Sequence, residues 1–193
     1  VNFKLGANGA ELGMIGSGAE ILSGGADEGD FGVRAVGDIC ISSGGHAERM
    51  RIDSSGRLLI ASTASRTIWG ANPKVQIEST DSNAAFTVIR NQASTAGPWI
   101  ALAKSRGSAN GAVTIVQDGD SLGSINWFGA DGVDLANTSA EIRAEIDGTP
   151  GSDDVPGRII FKTTADGASS PTERLRIDNG GRLLLGVTKT YGS

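Results

Sequence analysis

The sequence predicts an all-β fold of short antiparallel strands and hairpins, arranged in two related modules. A hairpin-like block occurs twice, and short alternating apolar segments are separated throughout by glycine-rich turns. Large side chains are scarce, since glycine accounts for 29 of the 193 residues and aromatic residues for 5%. A chain with so little core material is expected to intertwine with or pack against identical chains, and we predict an elongated homotrimer.

The first module, residues 1–62, begins with brief strands around Met14-Ile15 and Ile21-Leu22, which glycine turns separate. Strands are then predicted at 31–36 and 38–42. The module ends with the repeated block, residues 48–60, in which Met50 and Ile52 alternate with arginine, the period of a strand with one apolar and one charged face. The Asp-Ser-Ser-Gly that follows suits a tight turn, so this block predicts a β-hairpin.

The polar residues 63–73 form a connector, and the longer second module spans residues 74–193. Its predicted strands are residues 75–78, 85–89, 99–104, 113–116, 122–128, 140–146 and 159–162. Residues 140–146 also place two isoleucines four apart, as a helix would, but the segment alternates and precedes an Asp-Gly turn, which favours a strand.

The second copy of the block, residues 173–185, ends this module. Residues 157–162 parallel residues 37–42, so the duplicated unit is a strand, a loop and a hairpin. We expect the two hairpins to be equivalent, with Met50 and Ile52 matching Leu175 and Ile177 on an inward face. Their arginines should face solvent or a neighbouring chain.

Charge and apolar content argue against several functions. The net charge is −5 without a basic stripe, so nucleic-acid binding is not expected. No apolar run has the length of a membrane span, and the first residues do not have the profile of a signal peptide. Because the chain starts at Val1 without a methionine, we expect a segment of a longer polypeptide. Cys40, the only cysteine, is expected to be a small core residue.

The residues predict no catalytic, cofactor-binding or metal site. His46, the only histidine, lies in a Gly-Gly-His-Ala turn without an obvious serine nucleophile, and an exposed loop histidine is expected. One histidine and one cysteine cannot form a zinc site within one chain. The acidic turns Asp118/Asp120 and Asp131/Asp134 could offer oxygens to Ca²⁺, but they lack the twelve-residue calcium pattern and are interpreted as turns.

Three further sets of residues are possible binding or catalytic sites. The arginines of the two blocks could bind an anion, but nearby carboxylates favour ion pairs between strands or subunits; they are Arg49, Arg51, Arg57, Arg174, Arg176 and Arg182. Of the tryptophans, Trp99 and Trp127 lie in strand patterns and are expected in a core or between subunits, whereas Trp69 is freer to stack on a sugar. With 22 acidic residues, no carboxylate pair stands out for glycoside hydrolysis.

Part of the chain resembles the repeat module of bacteriophage tail-fibre proteins, above all those of marine and cyanobacterial phages. The likeness is carried by residues 117–132, 144–152, 156–161 and 164–178, the first of which read Gln-Asp-Gly-Asp-Ser-Leu-Gly-Ser-Ile-Asn-Trp-Phe-Gly-Ala-Asp-Gly. It covers about residues 74–187 well, and residues 1–60 look like a shorter relative. The resemblance implies modules that lie ahead of a C-terminal self-cleaving chaperone domain, which drives trimerisation. Nothing in the chain matches that domain.

These observations lead to three hypotheses of function. The first is a non-enzymatic structural segment of a trimeric phage tail fibre, made in the host cytoplasm and located in the virion, with itself and other tail proteins as partners. The second is a module that binds a host-surface glycan or protein through loops 80–84, 91–98 or 105–111. The third is a polysaccharide-degrading tailspike, ranked last because no carboxylate pair is singled out.

Overall fold

The computed structural model describes residues 13–17 and 31–186, and in these ranges the regular structure is entirely β. The strands are β1 (Gly13–Ser17), β2 (Phe31–Ala35), β3 (Ile39–Ser42), β4 (Glu48–Ile52), β5 (Leu58–Ile60), β6 (Val75–Ile77), β7 (Ser121–Phe128), β8 (Thr138–Ile146), β9 (Gly157–Thr163), β10 (Thr172–Ile177) and β11 (Leu183–Leu185). The predicted all-β class is confirmed. The short strand predicted around Ile21-Leu22 lies outside the described residues.

The chain divides into two compact units, and the first contains two sheets. Strands β1 and β2 form an antiparallel pair. Strands β3, β4, β5 and β6 form a four-stranded sheet in that order, in which β5 and β6 run parallel and the other pairs are antiparallel. Strand β6, which the sequence analysis grouped with the longer module, therefore hydrogen-bonds in the first hairpin's sheet. The limits of the modules stay a prediction.

The second unit contains one antiparallel meander, with strand order β11-β10-β9-β8-β7. Strand β8 includes residues 140–146, so the strand interpretation of this ambiguous segment is confirmed. Three strands of the meander, β9, β10 and β11, form the second strand-and-hairpin unit. Strands β7 and β11 are its edges and each leaves one row of backbone groups outside the sheet.

The two repeated hairpins have the same register, as predicted. Met50 lies opposite Ile60 in the first copy, and Leu175 lies opposite Leu185 in the second. Each hairpin also has a bulge at the same arginine, Arg49 or Arg174, where the pairing with the preceding strand shifts by one residue. Sequence duplication therefore extends to the details of strand pairing.

Three predicted strands do not form within the chain. Residues 85–89, 99–104 and 113–116 are placed as irregular segments, although their side chains have the composition of strands. A β-strand needs a neighbour that satisfies its backbone hydrogen bonds, and the described chain offers these segments no ladder. The prediction was wrong because local composition cannot show whether a partner strand is available.

Residues 13–17 and 31–186 contain no helix with the length and apolar character that crossing a membrane requires.

Candidate self-assembly surface

One face of the four-stranded sheet is apolar along every strand. Residues opposite each other across a sheet share a face, and so do residues two apart along a strand. The registers place these side chains on the same face: Ile39, Ile41, Met50, Ile52, Leu58, Ile60, Val75 and Ile77. We call this set the first apolar face. It contains no charged or polar side chain.

The five-stranded sheet has an equivalent surface. Its registers align one face from β7 to β11: Gly123, Ile125, Trp127, Thr138, Ala140, Ile142, Ala144, Ile159, Phe161, Thr163, Thr172, Leu175, Ile177, Leu183 and Leu185. We call this set the second apolar face. Its polar members are three threonines: Thr163, Thr172 opposite it, and Thr138, two residues before Ala140. The face has no charged member.

Both apolar faces are partly exposed in the single chain. On the first, Ile41, Ile52 and Val75 are 49%, 45% and 60% exposed. On the second, Trp127 is 48% exposed, Ile177 40% and Leu185 76%. Contiguous apolar surface of this kind usually marks an interaction site. The two repeated hairpins thus turn their matching aliphatic side chains toward space that the chain itself does not fill.

The opposite faces carry the charges and, beneath them, the buried aliphatic side chains Leu59, Ile160 and Leu184. Arg51 lies between Cys40 and Leu59 in the first sheet, and Arg176 lies between Ile160 and Leu184 in the second. Leu59 is 1% exposed and Ile160 2%. Long charged side chains cover apolar surface with their methylene stems, which accounts for this burial.

In the first hairpin, Arg51 is held by two carboxylates. Its Nε and Nη2 atoms each lie 2.6 Å from Glu48, and Nη1 lies 2.6 Å from Asp38. The Arg51 hydrogen bond lowers the pKa of Glu48, although desolvation opposes this effect. The other oxygen of Asp38 accepts the backbone N–H of Ser54 at 2.8 Å. Asp38 therefore ties the strand to the turn of the hairpin.

The second hairpin keeps the arginine–glutamate pair, but the carboxylate that binds its turn comes from a different strand and pairs with a different arginine. Arg176 forms the same two 2.6 Å bonds to Glu173. Arg158, however, stands in the sequence where Asp38 stands in the first copy, and the carboxylate comes from Asp147 at the end of β8. Asp147 binds Arg158 at 2.7 Å and accepts the N–H of Asn179, the counterpart of Ser54, at 2.9 Å. The backbone bond from Asn179 is the main cause that lowers the pKa of Asp147.

Each hairpin turn is closed by an aspartate. Asp53 accepts the N–H groups of Ser55 and Arg57 at 2.9 and 3.0 Å and the Arg57 Nε at 2.6 Å. Asp178 makes the same three bonds in the second copy, to Gly180 and Arg182. The backbone bond from Arg182 is the largest cause that lowers the pKa of Asp178. The block thus encodes its own turn, as an Asx-type motif does.

Two glutamates of β8 are buried on the charged face, and the sequence analysis missed them. Glu141, 4% exposed, binds Arg143 at 2.5 Å and lies 3.2 Å from the ammonium of Lys162. Glu145 is 9% exposed and binds Arg158 at 2.8 Å. Desolvation opposes ionisation of Glu145, but the bonds from Arg158 and Arg143 outweigh it and lower its pKa. The signal in the sequence was Glu-Ile-Arg-Ala-Glu, alternate charges on one face of a strand.

The arginines of the blocks bind acceptors within the chain, most of them close by in the sequence. Arg51, Arg57, Arg176 and Arg182 bind carboxylates. Arg49 and Arg174, at the bulges, bind the carbonyl of Ser43 and the hydroxyl of Thr163 instead.

His46 is exposed, as expected, but Cys40 is not the core residue that was expected. His46 is exposed in the β3–β4 loop. Cys40 is also exposed, although a core position was expected, because it lies on the charged face of the edge strand β3. Local desolvation and the Glu48 carboxylate raise the pKa of the Cys40 thiol.

The acidic turns have their oxygens occupied by the chain's own donors. Asp120 binds Arg106 through both oxygens at 2.6 and 2.7 Å, and Asp118 accepts the N–H of Gly148 at 2.9 Å. Asp131 accepts the N–H groups of Val133 and Asp134 at 2.8 and 3.0 Å. In residues 13–17 and 31–186, no three His, Cys, Asp or Glu side chains are grouped as metal ligands would be. The turn interpretation agrees with these bonds.

The tryptophans and the candidate loops are exposed. Trp69 is 64% exposed and Trp99 76%, so Trp99 fills no core within the chain. Residues 80–84 and 91–98 are exposed throughout. A groove of small polar side chains lies beside the first of these loops, lined by Ser62, Thr63, Ser65, Arg66, Glu78 and Thr80. Arg66 and Glu78 are paired there at 2.7 Å.

No protein-family model matches the chain, and no curated protein sequence matches it either. Solved structures share its fold, among them two of the same tail-fibre domain. One is the carboxy-terminal domain of the bacteriophage T5 L-shaped tail fibre, with a TM-score of 0.61, 16% identity and coverage of 80% of this chain and 66% of that chain. The other is the same domain with its intra-molecular chaperone domain, with a TM-score of 0.61, 15% identity and coverage of 80% of this chain and 46% of that chain. The chain has the fold of a bacteriophage tail-fibre domain.

Proposed function

We propose that the chain is a structural segment of a homotrimeric phage tail fibre, in the shaft or between shaft and tip, which supports host attachment. The observation that carries the proposal is the pair of apolar faces, which are free of charge and partly exposed in the single chain. Three copies around an axis would bury these faces against each other and leave the charged faces outside. The tail-fibre fold adds support.

The role is mechanical and not catalytic in this proposal. Several carboxylates are bound to arginine or to backbone N–H groups, among them Asp120, Glu145 and Asp147. Such bonds fix strands and turns, so the segment presents rigidly whatever the fibre carries beyond it. Its expected location is the virion, with other tail proteins as neighbours.

Light scattering on the purified chain at micromolar concentration tests the assembly. We expect the mass of three chains and a single cooperative unfolding transition. A stable, folded monomer would overturn the proposal. Incubation with host polysaccharide should release no oligosaccharide, and cleavage that is lost when one specific acidic pair is replaced would favour the tailspike instead.

A receptor-binding module is the second candidate, favoured by the exposed loops 80–84, 91–98 and 105–111 and by the polar groove beside the first. Adhesion to host cells that is lost when one loop is replaced, while the trimer remains, would support it. Adhesion that is unchanged by all three replacements would place host contact elsewhere in the fibre.

A further inference from the structure

Residues 86–104 form an irregular segment with almost no backbone partners in the chain. Among the described residues, its backbone-to-backbone bonds are confined to a local contact from Ser94 to Gln92, and Ala85, just before it, bonds only to Asn83. Neighbouring residues 106 and 114, by contrast, are joined across a hairpin at 3.2 Å. A segment rich in β-forming residues is thus left with a free row of N–H and C=O groups.

The apolar side chains of this segment are exposed on both sides of the backbone. Trp99 and Ile100 are adjacent, so in an extended chain they point in opposite directions, and they are 76% and 73% exposed. Phe86 and Ile89 are 72% and 75% exposed. One sheet face could cover only one side, so a partner is needed on each. A lone surface loop would leave several hundred Å² of apolar area in water, which is unusual.

The charge pattern indicates that these partners are copies of the same chain. Residues 82–89 and 91–103 contain no Asp, Glu, Lys or Arg, and the apolar faces contain none either. Arg90, between these two stretches, binds the side chain of Gln92 at 2.9 Å. In a trimer, a charge near the threefold axis meets its own copies, so an uncharged stretch suits close contact between copies there. Leu102 holds the segment against β7. A Cβ atom added to Gly123 of β7 would lie only 2.8 Å from the Cβ atom of Leu102.

We propose that residues 86–90 and 99–103 are exchanged strands: in the assembled protein they pair through their backbones with neighbouring copies, and their two apolar sides pack between those copies. Each copy donates these strands and receives those of its neighbours. Residues 91–98 are the connection between them. This inference rests on the proposed trimer, and it identifies which part of the chain binds the copies together.

Hydrogen exchange measured by mass spectrometry tests the pairing. In the assembled protein we expect peptides covering 86–90 and 99–103 to exchange at least 100-fold more slowly than the exposed turn at 165–168, and at rates like those of β8. A protein with the mass of three chains in which residues 86–104 exchange as fast as that turn would overturn the exchanged strands and leave the trimer intact. A monomer by mass would overturn the proposed function itself.

A photo-crosslink distinguishes pairing between chains from pairing within one chain. A benzoylphenylalanine at position 99 replaces one aromatic side chain by another, and Val133, 90% exposed on a loop, provides a control position. Chains of normal and heavy nitrogen are co-assembled before illumination. We expect mixed-isotope adducts from position 99 and none from position 133. Adducts from position 99 of a single isotope only, or to a different protein when virion proteins are added, would overturn the proposal.

Discussion

The residues that follow the two hairpins show how a repeat can be matched in backbone and differ in side chain. Ala61 and Gly186 directly follow the two copies of the block and have φ of 57° and 68°. Their N–H groups donate to the backbone carbonyls of the bulged arginines, Ala61 to Arg49 at 2.9 Å and Gly186 to Arg174 at 2.8 Å. The second copy has glycine, for which positive φ is unstrained; the first has a side chain in a conformation that disfavours one.

Exchange of these residues should therefore have opposite effects. We expect Gly186→Ala to lower the free energy of unfolding by about 1–2 kcal/mol and Ala61→Gly to raise it by up to about 1 kcal/mol. No atom lies within 4 Å of the added Cβ at Gly186, so the cost is one of backbone conformation. Urea unfolding of both variants measures it. Gly129→Ala, with open space and no positive φ, is the control, and an equal loss there would contradict this account.

Asp120 gives the chain a predictable response to acid. The side-chain bond from Arg106, helped by the N–H of Gln117, lowers the pKa of Asp120 to about 2. A carboxyl whose pKa is lower in the folded state stabilises fully above its unfolded value of about 4, and this stabilisation is lost as the pH falls toward 2. We expect the difference in melting temperature between the wild type and Asp120→Asn to be constant from pH 5 to 7 and to shrink below pH 4. A constant difference down to pH 2 would contradict the assigned pKa.

At the scale of elements, the sequence predicted the strands that find partners inside the chain. The hairpins, β7 and β8 follow from alternation and turn residues, which are local properties. Residues 85–89 and 99–104 have the same local properties and form no strand, since pairing depends on what lies beside them. Likewise, the carboxylate that binds the turn of the second hairpin, Asp147, could not be predicted from the repeat. Arg158 replaces Asp38 in the alignment, and only the fold brings Asp147 into place.

Asp38 and Asp147, which bind the turns of the two hairpins, should each stabilise the folded protein, although they come from different places in the sequence. We expect Asp147→Ala to destabilise the protein by about 1–2 kcal/mol, because it removes a charged bond to Arg158 and leaves the N–H of Asn179 without its acceptor. Asp38→Ala should destabilise in the same direction. Hydrogen exchange should accelerate at residue 179 in the first variant and at residue 54 in the second. Asp166→Ala, in the exposed β9–β10 connection, should change stability by less than about 0.5 kcal/mol.

At the scale of the whole molecule, the scarcity of large side chains and the two partly exposed faces describe the same property. The tightly buried aliphatic residues of the hairpins, such as Leu59 and Ile160, lie under the charges, where each chain supplies its own cover. The rows that contain Ile52 and Ile177 have no such cover. Sequence alternation predicted two faces per hairpin; it could not reveal which of them one chain fills by itself, because that depends on the packing of long charged side chains over short aliphatic ones.

A charge on the second apolar face should therefore act on assembly and not on the single sheet. Ile177 is 40% exposed in the chain, so Ile177→Asp would cost one isolated sheet little. Around a shared axis the same change buries an unpaired carboxylate in each copy, at a cost of several kcal/mol per trimer. We expect light scattering to show loss of the three-chain mass for Ile177→Asp. Val133→Asp makes the same change on an exposed loop and should assemble normally, as should His46→Ala. An Ile177→Asp protein that still assembles with wild-type thermal stability would show that this face is not the one the copies share.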